Sequence, residues 1–179
     1  MEKKPCDRML EDLEAEWDEI PNGVRTFHLE QLAKSGCQDA VPFILRMLRE
    51  AEDPSDRWRA LHALEDLDRR DMRSVFIEAH LSDPHEDVRR NALAGLSELF
   101  RGEADREILA LALHTYDNQD SSLRMRLTAG AMMMYQLGMD HDEHGRPSWW
   151  NEDEEELSHP LILKAVEETR RILAECSSQ

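Results

Sequence analysis

One short segment has the residue types of a metal site: Asp140-His141-Asp142-Glu143-His144. Two histidines three positions apart, flanked by carboxylates, are ligands that Zn²⁺ and other transition metals take in proteins. A charged loop of this composition also arises without a metal in so acidic a chain, and we expect no bound metal. A metal-dependent or lyase-like enzyme that uses His141 and His144 is kept as an alternative.

The rest of the sequence gives little support to catalysis. The cysteines have no histidine close to them in sequence, and no segment resembles a Gly-rich phosphate loop or a nucleophile elbow. We therefore expect no catalytic residue, no cofactor and no enzymatic activity.

Two adjacent tryptophans, Trp149 and Trp150, follow the histidines and precede a run of acids. Aromatic anchors with a charged rim are typical of binding hot spots between proteins. An alternative is that one or both indoles pack down and cover the last repeat. The predicted partner-binding residues are Trp149, Trp150, Asp140, Asp142, Glu143, Glu152, Asp153, Glu154, Tyr116 and His80.

The charge of the chain restricts its partners. Acids outnumber bases by 39 to 22, for a net charge of −17, and the surplus is concentrated in residues 1–20 and 140–156. Such a chain repels phosphate backbones and anionic lipids, which excludes nucleic-acid binding by a basic face and predicts a basic protein partner. No apolar run approaches 18 residues, and the N-terminus turns acidic where a secretion signal would turn apolar, so we expect no membrane segment.

The three cysteines, Cys6, Cys37 and Cys176, are odd in number, far apart and without a CxxC motif. This pattern predicts reduced thiols and a cytoplasmic location.

A repeat of about 32 residues organises the chain. An arginine recurs at positions 25, 57, 89 and 124, each time in a helical pattern, and a second amphipathic stretch follows. Small residues follow the last three of these arginines. Turn signals at Asp53-Pro54, Asp83-Pro84 and Asp117-Asn118 separate these stretches. No segment alternates with period two over strand length, so the sequence predicts an all-α chain of helical hairpins. The methionines at 125, 132–134 and 139 are interpreted as core filler, with an adaptable binding face as the alternative.

The segment from Asp83-Pro84 through Val88-Arg89 and Ala92 to Gly95-Leu96 resembles a HEAT repeat, of the short bacterial kind also seen in phycobilisome-lyase-like proteins. The resemblance covers roughly residues 22–135, although Asp56 stands where an apolar residue is expected and His28 where alanine is expected. It implies an α-solenoid in which each repeated arginine pairs with the aspartate of a neighbouring turn.

A metal-binding HEAT enzyme, deoxyhypusine hydroxylase, binds iron through several His-Glu pairs. This chain has one such dipeptide, His85-Glu86, in the turn before a helix, so we do not expect that activity.

The predicted fold is all-α, a right-handed α-solenoid of about four HEAT-like hairpins. We expect one domain, 1–179, made of an N-terminal capping helix at 6–20, repeats at 22–139, an acidic insertion at 140–156 and a C-terminal helix at 157–176.

The second helix of each hairpin should line the binding surface, with Arg46, Arg49, Glu78, His80, His114 and Tyr116 exposed. The predicted function is capture of a basic protein partner. The specific hypothesis is an immunity protein in which the acids of 140–156, with Trp149 or Trp150 as anchor, cover the active cleft of a cationic toxin. A regulatory or scaffolding adaptor is the alternative from another class, and DNA mimicry is the remaining nucleic-acid role.

Overall fold

Every regular element that the structure describes is helical. The computed structural model describes residues 5–139, 157 and 159–175, and these belong to two compact units, Met1–Gly95 and Leu96–Gln179. The predicted absence of strands holds within those ranges. The prediction of a single domain stays a prediction.

The first unit contains five complete helices and most of a sixth. The sixth helix passes the boundary between the units at Gly95. Short 3₁₀ turns, Gln38–Ala40 and Arg70–Met72, precede the third and fifth helices. The helices are α1 (Pro5–Glu16), α2 (Asn22–Lys34), α3 (Val41–Glu50), α4 (Pro54–Asp66), α5 (Arg73–Ser82) and α6 (Glu86–Leu99).

The predicted turn signals end and begin helices in this unit. The Asp53 side chain accepts the Ser55 N–H at 2.8 Å and caps α4, whose first residue is Pro54. A proline suits that position because its missing N–H would have no partner inside the helix. Asp83 ends α5, and its carboxylate accepts the N–H of His85 at 2.8 Å.

The N-terminal helix is shorter than expected. It ends at Glu16 instead of reaching residue 20, and Trp17–Ile20 form a turn in which the N–H groups of Glu19 and Ile20 bond to the Glu16 carbonyl. Pro21 follows, and a proline disfavours helical geometry in the residue before it. Two apolar residues of the predicted helix, Leu13 and Trp17, are nevertheless buried.

The expectation that all the cysteines are free thiols is wrong for one pair. Cys6 of α1 and Cys37, in the turn before α3, form a disulfide with a Cα–Cα distance of 6.4 Å. The packing of α1 on the first hairpin brings together two residues that lie 31 positions apart. Spacing in the sequence carries no sign of that proximity.

Asp56, which departs from the HEAT pattern, is 5% exposed and has a partner at the contact between α2 and α4. Its carboxylate accepts a hydrogen bond from the Thr26 hydroxyl at 2.7 Å. Two polar residues therefore stand where one apolar contact was expected, and the hydrogen bond between them meets the requirement that a buried carboxylate be paired.

The second unit contains α7 (Arg106–Asp117), α8 (Leu123–Gln136) and α9 (Pro160–Ala174). Gln136 of α8 is fully buried and binds the loop between α6 and α7. The Gln136 side chain donates to the carbonyls of Ser97 and Phe100 and accepts the Asp105 N–H. All these groups are buried or half-buried backbone, so the glutamine supplies partners that a loop otherwise lacks.

Helix α8 packs tightly on α9 at Gly130. A Cβ added there would lie 2.7 Å from Cγ2 of Ile162, closer than real carbon atoms approach. This confirms that a small residue is needed where a neighbouring helix comes near. The interpretation of the methionines as core is also confirmed for Met125 and for Met132–Met134, which are 0–5% exposed.

Candidate functional site

The first unit has a groove of about 470 Å³ between the second helices of its two hairpins, α3 and α5. Residues at helical spacing supply its walls, so one face of each helix is turned toward it. The groove is lined by Leu45, Leu48, Arg49 and Ala51 from α3 and the residue after it, by Val75, Glu78, Ala79 and Ser82 from α5, and by Arg57, Asp83 and Pro84 from α4 and the turn after α5.

This groove is lined by both apolar and charged groups. Leu45, Leu48 and Val75 are only half-buried, so they offer apolar surface to a partner. Arg49 and Glu78 are exposed, and within the described part of the chain neither takes part in a hydrogen bond or ion pair. A half-exposed apolar lining with free charges beside it has the composition of a protein-binding surface.

Arg57 and Asp83 are held in a fixed geometry beside the groove. The Arg57 guanidinium donates to both carboxylate oxygens of Asp83, at 2.8 and 3.0 Å, and its third nitrogen donates to the carbonyls of Ala51 and Glu52, both at 2.9 Å. This confirms the predicted pairing of a repeated arginine with the aspartate of a neighbouring turn. The pair ties α4 to the ends of α3 and α5.

The pKa values of the two groups reflect this pairing. Burial tends to raise the pKa of Asp83, but the hydrogen bonds from Arg57 and the His85 N–H outweigh it and leave the pKa below its usual value. The bond to Asp83 in turn raises the pKa of Arg57. Both groups are therefore charged at neutral pH, and neither has the perturbed titration that acid–base catalysis uses.

Two other repeated arginines, Arg25 and Arg89, make contacts different from the aspartate pairing that the resemblance implies. Arg25 donates to the Asn22 side chain at 2.5 Å and stacks on the Trp17 indole at 4.8 Å. Arg89 donates from its side chain to the carbonyls of Asp83 and Pro84, at 2.9 and 3.1 Å, and so supports the turn before α6. These roles are structural.

Trp17 attaches the N-terminal segment to the first hairpin. The indole is 2% exposed and contacts the guanidinium groups of Arg25 and Arg46, while its N–H donates to Glu50 at 3.2 Å. Arg46 also donates to Glu50 and Asp18, and its bond lowers the pKa of Glu50. The predicted exposure of Arg46 is thus reduced to half-burial by these contacts.

Acids cover the surface of this N-terminal segment. Six of them are exposed within nine residues: Glu11, Asp12, Glu14, Glu16, Asp18 and Glu19. Because the turn after α1 lies against α3, this acidic surface and the groove belong to the same unit.

Two predicted partner-binding residues are buried, so the expectation that they are exposed is wrong. His80 is 6% exposed, and its ring lies 2.9 Å from the Arg89 carbonyl. Tyr116 is 8% exposed, and its hydroxyl donates to the Leu157 carbonyl at 3.1 Å. Neither side chain presents a surface to a partner. By contrast, Arg49, Glu78 and His114 are exposed as expected.

The remaining predicted site residues lie outside the described residues. These are Asp140, His141, Asp142, Glu143, His144, Trp149, Trp150, Glu152, Asp153 and Glu154. Among residues that the structure does describe, no three histidine, cysteine, aspartate or glutamate side chains form a cluster that could hold a metal ion. No helix in those same ranges has the length and apolar content needed to cross a membrane.

The apolar part of the groove was not predicted from the sequence. The α3 and α5 stretches were identified as amphipathic, but periodicity alone does not show which apolar residues remain half-exposed. Arg49 and Glu78 were the residues that could have indicated the groove, since both were expected to be exposed on the second helices.

Comparison with known proteins agrees with the hairpin architecture. A family model described as HEAT repeats matches residues 21–97 and again 41–132, which together cover more than half of the chain. No curated protein and no solved structure matches the chain significantly. The predicted class, an α-solenoid of HEAT-like hairpins, is thereby confirmed.

Proposed function

From the premise that the chain belongs to the HEAT repeat family, we propose that it is a binding protein that captures a basic protein partner and catalyses no reaction. The observation that carries the proposal is the groove between α3 and α5. It combines half-exposed apolar residues with Glu78, an acid that has no partner of its own among the described residues.

The occupant that fits this groove is an amphipathic segment of the partner with apolar and basic side chains. Its apolar residues would contact Leu45, Leu48 and Val75, and a lysine or arginine would pair with Glu78. Arg49 would bind a backbone carbonyl at the end of that segment, as cations do at the C-terminus of a helix. About 470 Å³ is within the range of pockets that bury most of a bound group.

The acidic surface supplies the attraction at longer range. The exposed acids of α1 and the following turn lie in the same unit as the groove, and the whole chain carries −17. Complementary charge of this kind raises association rates and rejects acidic proteins, and its effect weakens as salt is added.

The specific form that we favour is an immunity protein that neutralises a cationic toxin by occlusion. A small acidic binding protein needs no catalytic group for that task. The acids and tryptophans of 140–156 would add contacts that cover the toxin's cleft, and their part is tested by deleting that segment.

The experiment is co-expression of the chain with the product of the adjacent gene, followed by affinity capture. We expect a stable complex that weakens between 50 and 500 mM salt, and toxicity of the neighbour when it is expressed alone. A complex with a non-toxic regulatory protein would instead favour an adaptor. Failure to bind any basic neighbour, or turnover of a small molecule by the purified chain, would contradict the proposal.

The cytoplasmic location also stays a prediction. A disulfide such as Cys6–Cys37 is more typical of oxidising compartments, so this bond does not favour the cytoplasm. Alkylation of thiols in intact cells, before and after reduction, decides the state of the two cysteines in place.

A further inference from the structure

His62, on α4, contacts a hydrogen-bond acceptor with each of its ring nitrogens. Nδ1 lies 3.0 Å from Oε2 of Glu65, one turn further along the same helix. Nε2 lies 3.3 Å from Oδ1 of Asn91, which belongs to α6. The ring therefore links the first helices of the second and third hairpins, inside the first unit.

The orientation of the Asn91 amide is fixed by a second contact. Its Nδ2 donates to the Asp87 carbonyl at 2.7 Å, which leaves Oδ1 facing the His62 ring. Rotating the amide by 180° would set its oxygen against that carbonyl. Asn91 thus offers an acceptor, and the ionised Glu65 carboxylate can only accept.

A neutral imidazole has one N–H and cannot donate to both of these groups. If Nδ1 carries the proton, the lone pair of Nε2 faces the Asn91 oxygen; if Nε2 carries it, a lone pair faces the Glu65 carboxylate. Only the doubly protonated ring satisfies both contacts. Oε1 of Glu65 is itself buried, with no hydrogen-bond partner in the described part of the chain.

The charges around the ring favour the protonated form. Glu65 and Asp66 act on it from α4, and Glu30 acts on it from α2. Arg59, three residues before His62 on α4, is a cation bound to Glu30 through two bonds of 2.7 and 2.8 Å. The hydrogen bond to Glu65, the charges of Glu65 and Asp66 and the contact with Asn91 raise the pKa of His62 against the opposing effect of burial.

We propose that protonated His62 is a pH-responsive link between α4 and α6, which loosens when the ring loses its proton. The direction follows from linkage. A folded-state pKa above the unfolded value of about 6.5 gives stabilisation that is complete below pH 6.5 and is lost as the pH rises through the folded value. This inference is independent of the proposed binding function.

Titration of the His62 ring by NMR tests the charge state directly. The midpoint in the full chain should lie above 6.5, fall in Glu65→Gln, and rise in Asn91→Asp, where a second carboxylate faces the ring. The reverse shifts, or a wild-type midpoint at or below 6.5, would overturn the proposal.

Hydrogen exchange of the α6 amides tests the link. After correction for intrinsic exchange, we expect the equilibrium constant for local opening near Asn91 to increase from pH 6 to pH 8.5. The increase should be up to tenfold for each pH unit by which the titration midpoint of His62 lies above 6.5. His62→Gln should abolish this dependence. His114→Gln, which alters an exposed histidine of α7, is the matched control and should keep it. Equal pH dependence in His62→Gln would refute the link.

Discussion

Replacing Asp83 with asparagine tests the Arg57–Asp83 pair. The two side chains are only 12% and 9% exposed, so the substitution leaves a nearly buried guanidinium without its counter-ion. Removing one partner of a buried ion pair costs about 3–5 kcal/mol, and the slight exposure here places the expected loss near 3 kcal/mol. Arg57 would keep its bonds to the carbonyls of Ala51 and Glu52, which limits the loss further.

Urea denaturation followed by circular dichroism measures this loss. Arg57→Leu and the double variant complete a thermodynamic cycle, and the double variant should be more stable than the sum of the single losses because it leaves no unpaired charge. Asp71→Asn is the matched control. It breaks the pair between Arg69 and an aspartate that is 59% exposed, and should cost less than about 1 kcal/mol.

The pH dependence of the stability of Asp83→Asn tests the direction of the pKa shift of Asp83. Since the folded-state pKa of Asp83 is lowered, its stabilisation is present above its unfolded pKa of about 3.9 and is lost as the pH falls through the folded value. The gap in stability between wild type and Asp83→Asn should therefore narrow below pH 4. A loss under 1 kcal/mol at pH 7, or additive single losses, would refute the role given to the pair.

Three further substitutions and one control test the packing. Cys6→Ser removes the disulfide to Cys37 and should lower the free energy of unfolding by about 3–4 kcal/mol, by the chain-entropy estimate. Wild type and variant should be equally stable once the wild type is reduced. An unchanged urea midpoint without reductant would contradict the disulfide. Gly130→Ala should cost about 1–3 kcal/mol by forcing α8 from α9, whereas Gly23→Ala, with open space around it, should be neutral or stabilising by up to about 1 kcal/mol. Trp17→Ala should lower the free energy of unfolding by about 3–5 kcal/mol. If this loss is smaller than the loss measured for Gly130→Ala, the indole does not anchor α1.

The hairpins could be predicted because helical periodicity and turn chemistry are local. Asp53 and Asp83 occupy the turns that their sequences indicated, and the Arg57–Asp83 pair followed from the family resemblance.

The burial of His80 and Tyr116 could also have been predicted from the sequence. Phe76 and His80 are four residues apart and share a buried face, as do Ala112 and Tyr116. The polar atoms of these side chains do not indicate exposure, because Nδ1 of His80 and the hydroxyl of Tyr116 lie within hydrogen-bond distance of backbone carbonyls.

The disulfide and the groove depend on contacts between helices, which one sequence does not reveal. Cys6 meets Cys37 only after α1 has packed on the first hairpin, and the exposed fraction of Leu48 or Val75 depends on the spacing of α3 and α5. Both features are properties of the packed unit.

The affinity of a groove-blocked variant for the co-purified basic partner tests the central claim most directly. Ala79→Trp fills the groove from α5, and Ser74→Trp adds the same side chain at an exposed position of α5 that does not line it. Loss of a hot-spot contact of about 2 kcal/mol corresponds to about 30-fold in Kd, which we expect for Ala79→Trp alone. Equal affinities of both variants and wild type, measured by titration calorimetry on folded proteins, would contradict binding in the groove.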